Sequence, residues 1–138
     1  RSRPDHNRLF ALIDRAYQQW PENHGFAPTS SLNLRHYLTV GVGHVDTIFI
    51  PAPKEPTEEV LTMSKTAVDA VWASMCKRYT FVDIRVDMAG TTIISPRSIN
   101  EETLPTQREY APVREAVEAS IELALGVTAQ QLLTSKAA

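Results

Sequence analysis

The sequence predicts an α+β domain dominated by helices, about five of them, with a small and largely antiparallel sheet that contains one β-hairpin. Three observations support this fold class. Apolar residues recur at helical spacing in several long segments. β-branched residues concentrate in only a few short stretches, and Ala89-Gly90 forms a short turn between two of them. Since the one clear strand pairing is this antiparallel hairpin, a doubly wound parallel sheet is disfavoured.

Two helices are predicted at the start of the chain. Asp5 is a suitable N-cap for the first helix, over 5–20. The second helix spans 32–40, between a group of serine and threonine caps and the glycines Gly41 and Gly43. The apolar residues that place the first helix against a core are Leu9, Leu12, Ile13, Ala16, Tyr17 and Trp20.

A third helix is predicted after Thr57, which is a good N-cap. Glu58 and Glu59 lie in its first turn and Lys77 and Arg78 in its last turn, where each sign complements the helix dipole. Its apolar stripe suits a core or a second copy of the chain equally well. The stripe consists of Val60, Leu61, Ala67, Val68, Val71, Trp72, Met75 and Tyr79.

Three strands are predicted, the first of them over 44–52, and the other two form the hairpin. In the first strand of the hairpin, Val82, Ile84, Val86 and Met88 alternate with mostly charged residues. This alternation predicts that the apolar face is buried and the charged face is wet.

The last two helices are predicted from their caps. Thr106 and Glu109 form a possible capping box, and Gly126 follows the end of the fourth helix. Thr128 and Gln131 form a second capping box, which opens a short final helix.

The composition limits the classes of function. A chain of 138 residues fits a single globular domain, 1–138, and a hydrophobic content of 43% excludes a disordered chain. The net charge of -2 gives no bulk basicity, so a nucleic-acid interface would have to be a local patch. The chain begins at arginine rather than methionine, and we expect that an N-terminal segment precedes it.

The single cysteine, Cys76, excludes an internal disulfide and a multi-cysteine metal site. Its position in a helical apolar stripe predicts a buried, reduced thiol, as is typical of cytoplasmic proteins. No apolar run reaches the roughly 18 residues of a membrane span. We therefore expect a cytoplasmic protein with no membrane partner, and we predict no cofactor.

Two clusters could carry enzyme chemistry. His44 and Asp46 lie two apart on a strand and could share a metal or an acid–base role, but a third ligand is lacking. Asp83 and Asp87 could hold a divalent ion, but Arg85 lies between them and favours a surface ion network. For both clusters a purely structural role is favoured, namely a His–Asp hydrogen bond and a surface ion network. We therefore predict no catalytic residue and no metal ligand.

Basic residues near the start of the chain suggest a binding surface. Arg8 and Arg15 are seven residues apart and share a helix face, and the second helix could align with them in a helical hairpin. The alternative is a solvated face whose charges are offset by Asp5 and Asp14. The predicted nucleic-acid-binding residues are Arg3, His6, Arg8, Arg15 and Arg35, which suit phosphates because phosphates require charge and donors.

Three segments, taken in order, resemble an uncharacterised family of phage and prophage proteins: RSRPDHNRLFALIDRAYQQWP, TSSLNLRHYLTVGVGHVDTIFI and IISPRSINEETLPTQREYAPVREAVEASIELALG. The first segment is also remotely similar to the N-terminal helix of lambda Orf/NinB-type recombination mediators, which has the pattern S-x-x-Q-N-R-x-x-W-A-x-L. Phe10 departs from the tryptophan of that pattern, and 51–79 has no counterpart. The matching positions are Ser2, His6, Asn7, Arg8, Phe10, Ala11 and Leu12.

The resemblance implies an accessory protein that binds DNA, in particular single-stranded DNA, in phage recombination or replication. Tyr17 or Trp20 could stack on bases, although core packing is the favoured role of both rings. A second hypothesis is a module that binds a host or phage protein, as an inhibitor or as a partner of single-strand-binding protein. A metal-dependent nuclease-like enzyme is third. A homo-oligomer is compatible with each hypothesis.

Overall fold

The structure is a computed structural model that describes residues 3–99, 104 and 106–134, with side chains from residue 6 onward. Across this part of the chain the predicted α+β class and the order of the elements are confirmed. The helices are α1 (Arg3–Gln18), α2 (Ser31–Gly41), α3 (Glu58–Arg78), α4 (Gln107–Leu125) and α5 (Ala129–Thr134), and the strands are β1 (Val45–Pro51), β2 (Asp83–Asp87) and β3 (Gly90–Pro96).

The hydrophobic core lies among α1, α2, α4 and α5, which together form the helical half of the molecule. The apolar spacing predicted for the first helix is confirmed, because Leu9, Leu12 and Ala16 are fully buried. Tyr110 and Val117 of α4 are also fully buried in the same cluster. Each large side chain buried in this way stabilises the fold by about 1.5–3 kcal/mol.

The sheet has the order β1-β3-β2, and both pairings are antiparallel. Ile93 of the central strand lies opposite Ile48 on one side and Ile84 on the other. The hairpin turn is closed by Asp87, whose Oδ1 accepts hydrogen bonds from the amides of Ala89 at 2.8 Å and Gly90 at 3.2 Å.

Glycine is required at the start of β3. Gly90 has φ 154, and a Cβ there would lie 2.3 Å from the carbonyl oxygen of Ile50. Since that distance is far below van der Waals contact, β1 approaches β3 this closely only because residue 90 has no side chain.

Most of the predicted caps are confirmed. Thr57 Oγ1 accepts a hydrogen bond from the amide three residues on at 3.3 Å, and Thr106 Oγ1 does the same at 3.2 Å. Gly126 ends α4 with φ 72, in the left-handed region that favours glycine. In the second capping box, the Thr128 amide donates to Gln131 Oε1 at 2.9 Å, and the Gln131 amide donates to Thr128 Oγ1 at 3.1 Å.

The first helix begins earlier than its sequence pattern indicated. α1 already includes Arg3, so Asp5 lies inside the helix and its predicted role as N-cap is wrong. Pro4 permits this start, because a proline in the first turn removes only an amide that has no intrahelical acceptor.

The main correction concerns α3 and the sheet, which together form the sheet half of the molecule. No residue of α3 is buried, and Cys76 is exposed, so the predicted buried thiol is wrong. The apolar face of the hairpin is not buried as predicted either, because Val86 at the end of β2 is 73% exposed and Met88 in the turn is fully exposed.

The geometry of the sheet explains this exposure. α3 packs against the central strand β3, where Ile93 is buried. One helix is about 10 Å wide, whereas three strands at about 4.8 Å spacing are wider with their side chains, so the edge strands extend beyond it.

Across the described residues, no helix combines the length and apolar character that crossing a membrane requires.

Candidate nucleic-acid interface

A cleft of ≈ 700 Å³ lies where α1, α2, the end of α3 and the segment after β3 meet. We call it the basic cleft. The side chains that give it its chemistry are Phe10, Arg35, His36, Arg78, Tyr79 and Arg97.

The charge of the basic cleft is predominantly positive. Arg35, Arg78 and Arg97 come from three separate segments of the chain, and the lining of the basic cleft includes one carboxylate, Asp46. Arg97 Nε lies 3.6 Å from Asp46 Oδ1, and both side chains are exposed. An exposed pair at this distance is weak, so Arg97 remains available to an anionic ligand. A protein with net charge -2 thus concentrates positive charge at one place.

Two aromatic rings stand beside the arginines. The guanidinium carbon of Arg35 lies 4.9 Å from the centre of the Phe10 ring, and that of Arg78 lies 5.3 Å from the Tyr79 ring. These are cation–π distances, and they hold planar guanidinium groups next to rings. The combination offers donors for phosphates and flat apolar surfaces for bases.

Histidine–backbone contacts fix the end of α3 against α2. His36 Nδ1 accepts a hydrogen bond from the Thr80 amide at 3.1 Å and lies 2.8 Å from Thr80 Oγ1. Asn33 Nδ2 donates to the Thr80 carbonyl at 2.9 Å. These bonds set the position of Arg78 and Tyr79, which directly precede Thr80.

Burial tunes two of the ionisable groups in the basic cleft. The pKa of His36 is lowered by burial and then by the neighbouring charge of Arg35. Burial also lowers the pKa of Arg35, while the carboxylate of Asp14 opposes that shift. Since the ordinary pKa of an arginine lies far above neutral pH, Arg35 stays charged there despite this shift.

The structure divides the five residues that the sequence proposed for nucleic-acid binding. His6 and Arg35 line the basic cleft. Arg8 instead forms an ion pair with Glu118 of α4, and Glu118 also lies 3.7 Å from Arg114. The lining of the basic cleft does not include Arg15. The side chain of Arg3 lies outside the described residues.

The two rings considered for base stacking have structural roles. The Tyr17 hydroxyl donates to the Thr29 carbonyl at 3.3 Å, and Trp20 Nε1 donates to the Phe26 carbonyl at 2.9 Å. Both rings also pack against the core cluster, as the favoured interpretation of the sequence expected.

Sequence reasoning missed three residues of the basic cleft. Arg78 was explained by the helix dipole, Tyr79 by the apolar stripe, and Arg97 received no role. A signal was present in the triplet Lys77-Arg78-Tyr79, where two cations and a ring follow one another at the end of a helix. No local pattern, however, relates Arg97 to that triplet.

The two candidate enzyme clusters hold bonds within the chain. His44 Nε2 lies 3.2 Å from the Ser98 carbonyl, and Asp46 pairs with Arg97. Asp83 pairs with Arg85 at 3.7 Å, as the surface-network interpretation expected, while Asp87 closes the hairpin turn. The described residues contain no group of three or more side chains able to hold a metal ion.

Comparisons of the chain with protein-family models, with curated proteins and with solved structures find no match. The resemblance to recombination mediators therefore stays a prediction. The basic cleft has to be interpreted from its own chemistry.

Proposed function

We propose that this protein binds DNA, with a preference for single strands, in the basic cleft. The observation that carries the proposal is the convergence of Arg35, Arg78 and Arg97 beside the rings of Phe10 and Tyr79. Strand-binding proteins combine a positive groove for the backbone with rings on which bases stack. Duplex DNA hides its base faces, so rings beside the charges favour an unpaired strand.

Each part of the basic cleft has a distinct role in this proposal. Arg78 and Arg97 contact phosphates, because both side chains are accessible at its rim. Arg35 is half-buried and holds the Phe10 ring in place while adding positive potential. Tyr79 provides the surface on which a base stacks. The role in phage or prophage recombination or replication is proposed from the family resemblance.

The test is a fluorescence anisotropy titration of the protein into a labelled oligonucleotide at several salt concentrations. Arg78→Ala and Arg97→Ala are each expected to weaken binding several-fold and to reduce the slope of log K against log salt by about 0.7. Tyr79→Ala is expected to cost about 1–3 kcal/mol in binding without changing that slope. The two readouts therefore separate phosphate contacts from base stacking.

Arg85→Ala is the matched control, because this arginine is exposed on β2 and lies outside the basic cleft. It is expected to leave affinity and salt slope unchanged. If Arg85→Ala weakens binding as much as Arg78→Ala, DNA is held by general charge rather than by the basic cleft. Absence of any binding at low salt contradicts the proposal.

A protein partner is the second candidate function, and one observation favours it. The sheet half exposes several large apolar side chains, among them Phe49, Met63 and Val86. Exposed apolar residues concentrated in one region are typical of protein interfaces.

A further inference from the structure

The outer face of α3 carries a regular pattern that the fold of one chain does not use. Its half-buried residues follow one stripe and face the rest of the chain. On the opposite side six exposed residues alternate in steps of four and three, which is the spacing of a two-helix seam. We call them the α3 seam: Glu59, Met63, Thr66, Ala70, Ala73 and Lys77.

Large apolar side chains of the sheet half are open to solvent, and Met63 of the α3 seam is one of them. Much of the exposed apolar surface lies in the sheet half, where Leu61 is 48% and Met63 66% exposed.

We propose that the α3 seam binds the α3 seam of a second copy of this chain, with the two helices antiparallel. A two-fold axis beside residue 68 places each seam residue opposite another of the same seam. Glu59 then faces Lys77 of the second copy, Met63 faces Ala73, and Thr66 faces Ala70.

The chemistry of the α3 seam selects this orientation. In the antiparallel register Glu59 and Lys77 form two ion pairs, one at each end of the seam. In a parallel pair the two copies of Glu59 would meet, as would the two copies of Lys77, and like charges in contact destabilise a complex. Met63 fills the space left by the small Ala73, so that a large residue packs against a small one along the interface.

The pairing is compatible with the basic cleft and independent of it. Arg78 and Tyr79 line that cleft and do not belong to the α3 seam. A monomer that binds DNA would contradict only the pairing, and a dimer that does not bind DNA would contradict only the proposed function. Neither proposal therefore depends on the other.

Charge exchange at the ends of the α3 seam tests the register. We expect wild-type protein to form a dimer with a dissociation constant below roughly 100 µM in sedimentation equilibrium. Glu59→Lys places two cations together at each end and should raise that constant about tenfold. The double variant Glu59→Lys/Lys77→Glu restores both pairs and should recover most of the loss.

Glu58→Lys is the matched control. It changes the same charge in the same first turn, and so the same interaction with the helix dipole, but it lies about 100° around the helix from Glu59. We expect this variant to dimerise as wild type does. A wild-type monomer at 100 µM protein, or a double variant no better than Glu59→Lys, overturns the proposal.

Cys76 supplies a measurement on the wild-type sequence. It is the single cysteine of the chain and is exposed, so a spin label attaches there specifically. In the antiparallel register the two Cys76 residues lie about 24 Å apart along the helix axes, since each is eight residues from the two-fold axis. Electron spin resonance should report a distance of that order or somewhat longer. A distance near 10 Å indicates parallel helices and contradicts the proposal.

Discussion

The helical half and the sheet half both contain amphipathic helices, yet only the helical half buries them. α1 packs against α2, α4 and α5, and its apolar stripe is sealed from water. α3 is longer, packs mainly against β3, and buries none of its residues. An apolar stripe on a helix therefore shows what could be buried, whereas the number of neighbouring elements decides what is buried.

The largest expected difference comes from one substitution made in each half. Leu9→Ala removes a fully buried side chain of α1 and should lower the free energy of unfolding by about 2–5 kcal/mol. Leu61→Ala makes the same change on α3, where the side chain is 48% exposed, and should cost less than about 1 kcal/mol. Urea titrations of both variants provide the measurement. Equal losses would mean that Leu61 is covered in solution, which removes the contrast between the halves.

Two threonine caps give a comparison of intermediate size. Thr106→Ala removes the cap of α4, a helix that contributes to the core, and should lower the free energy of global unfolding by about 1 kcal/mol. Thr57→Ala removes the equivalent cap of α3. It should speed amide exchange in the first turns of α3 with less effect on global unfolding, because α3 buries little surface. Amide hydrogen exchange measured for each residue, together with the urea midpoint of each variant, distinguishes a local loss of helix stability from a loss of global stability. If the urea midpoints of Thr106→Ala and Thr57→Ala fall equally, the helical half and the sheet half unfold as one unit.

The smallest expected effect lies at the junction of the halves and depends on pH. Burial and then Arg35 hold the pKa of His36 below its ordinary 6.5 in the folded protein. The unfolded chain therefore binds a proton more readily, and stability falls as the pH drops below about 6.5 toward the folded pKa. Protonation also ends the hydrogen bond that His36 Nδ1 accepts from the Thr80 amide.

His36→Gln should flatten this part of the pH dependence. The measurement is the urea midpoint of wild type and variant at about pH 7.5 and pH 5, together with an NMR titration of the His36 ring. His24→Gln is the control substitution, because the His24 ring centre lies 4.8 Å from that of Trp20 and His24 Nδ1 accepts a hydrogen bond from the Phe26 amide rather than from Thr80. A His36 ring that titrates above 6.5 would reverse the sign of the effect.

The sequence predicted the helical half closely, because its signals are local. Thr106 with Glu109, Thr128 with Gln131, and the glycine at 126 each act within a few residues, and each has the predicted role. The predictions that Cys76 and Val86 are buried were wrong for the opposite reason, because burial is not a local property. Their burial depends on a covering layer that no local pattern specifies: Cys76 lies on an exposed part of α3, and α3 is too narrow to cover β2 as well as β3.

The candidate site was predictable only in part. His6 and Arg35 were identified from charge and helical spacing, and both line the basic cleft. Arg8 had the same signal but faces Glu118, a residue 110 positions along the chain. Arg78 and Arg97 join the cleft because α3 and β3 end at the same side of the fold.

The sequence by itself determined the order of the elements, most of their caps and the absence of bulk basicity. Helical period and capping chemistry are local properties, so they can be read along the chain. The tertiary structure alone decided which arginines share a cleft, which one is neutralised, and which apolar faces stay in water. Those outcomes depend on contacts between distant segments, and a helical period fixes the direction of a side chain without fixing the neighbour that it meets.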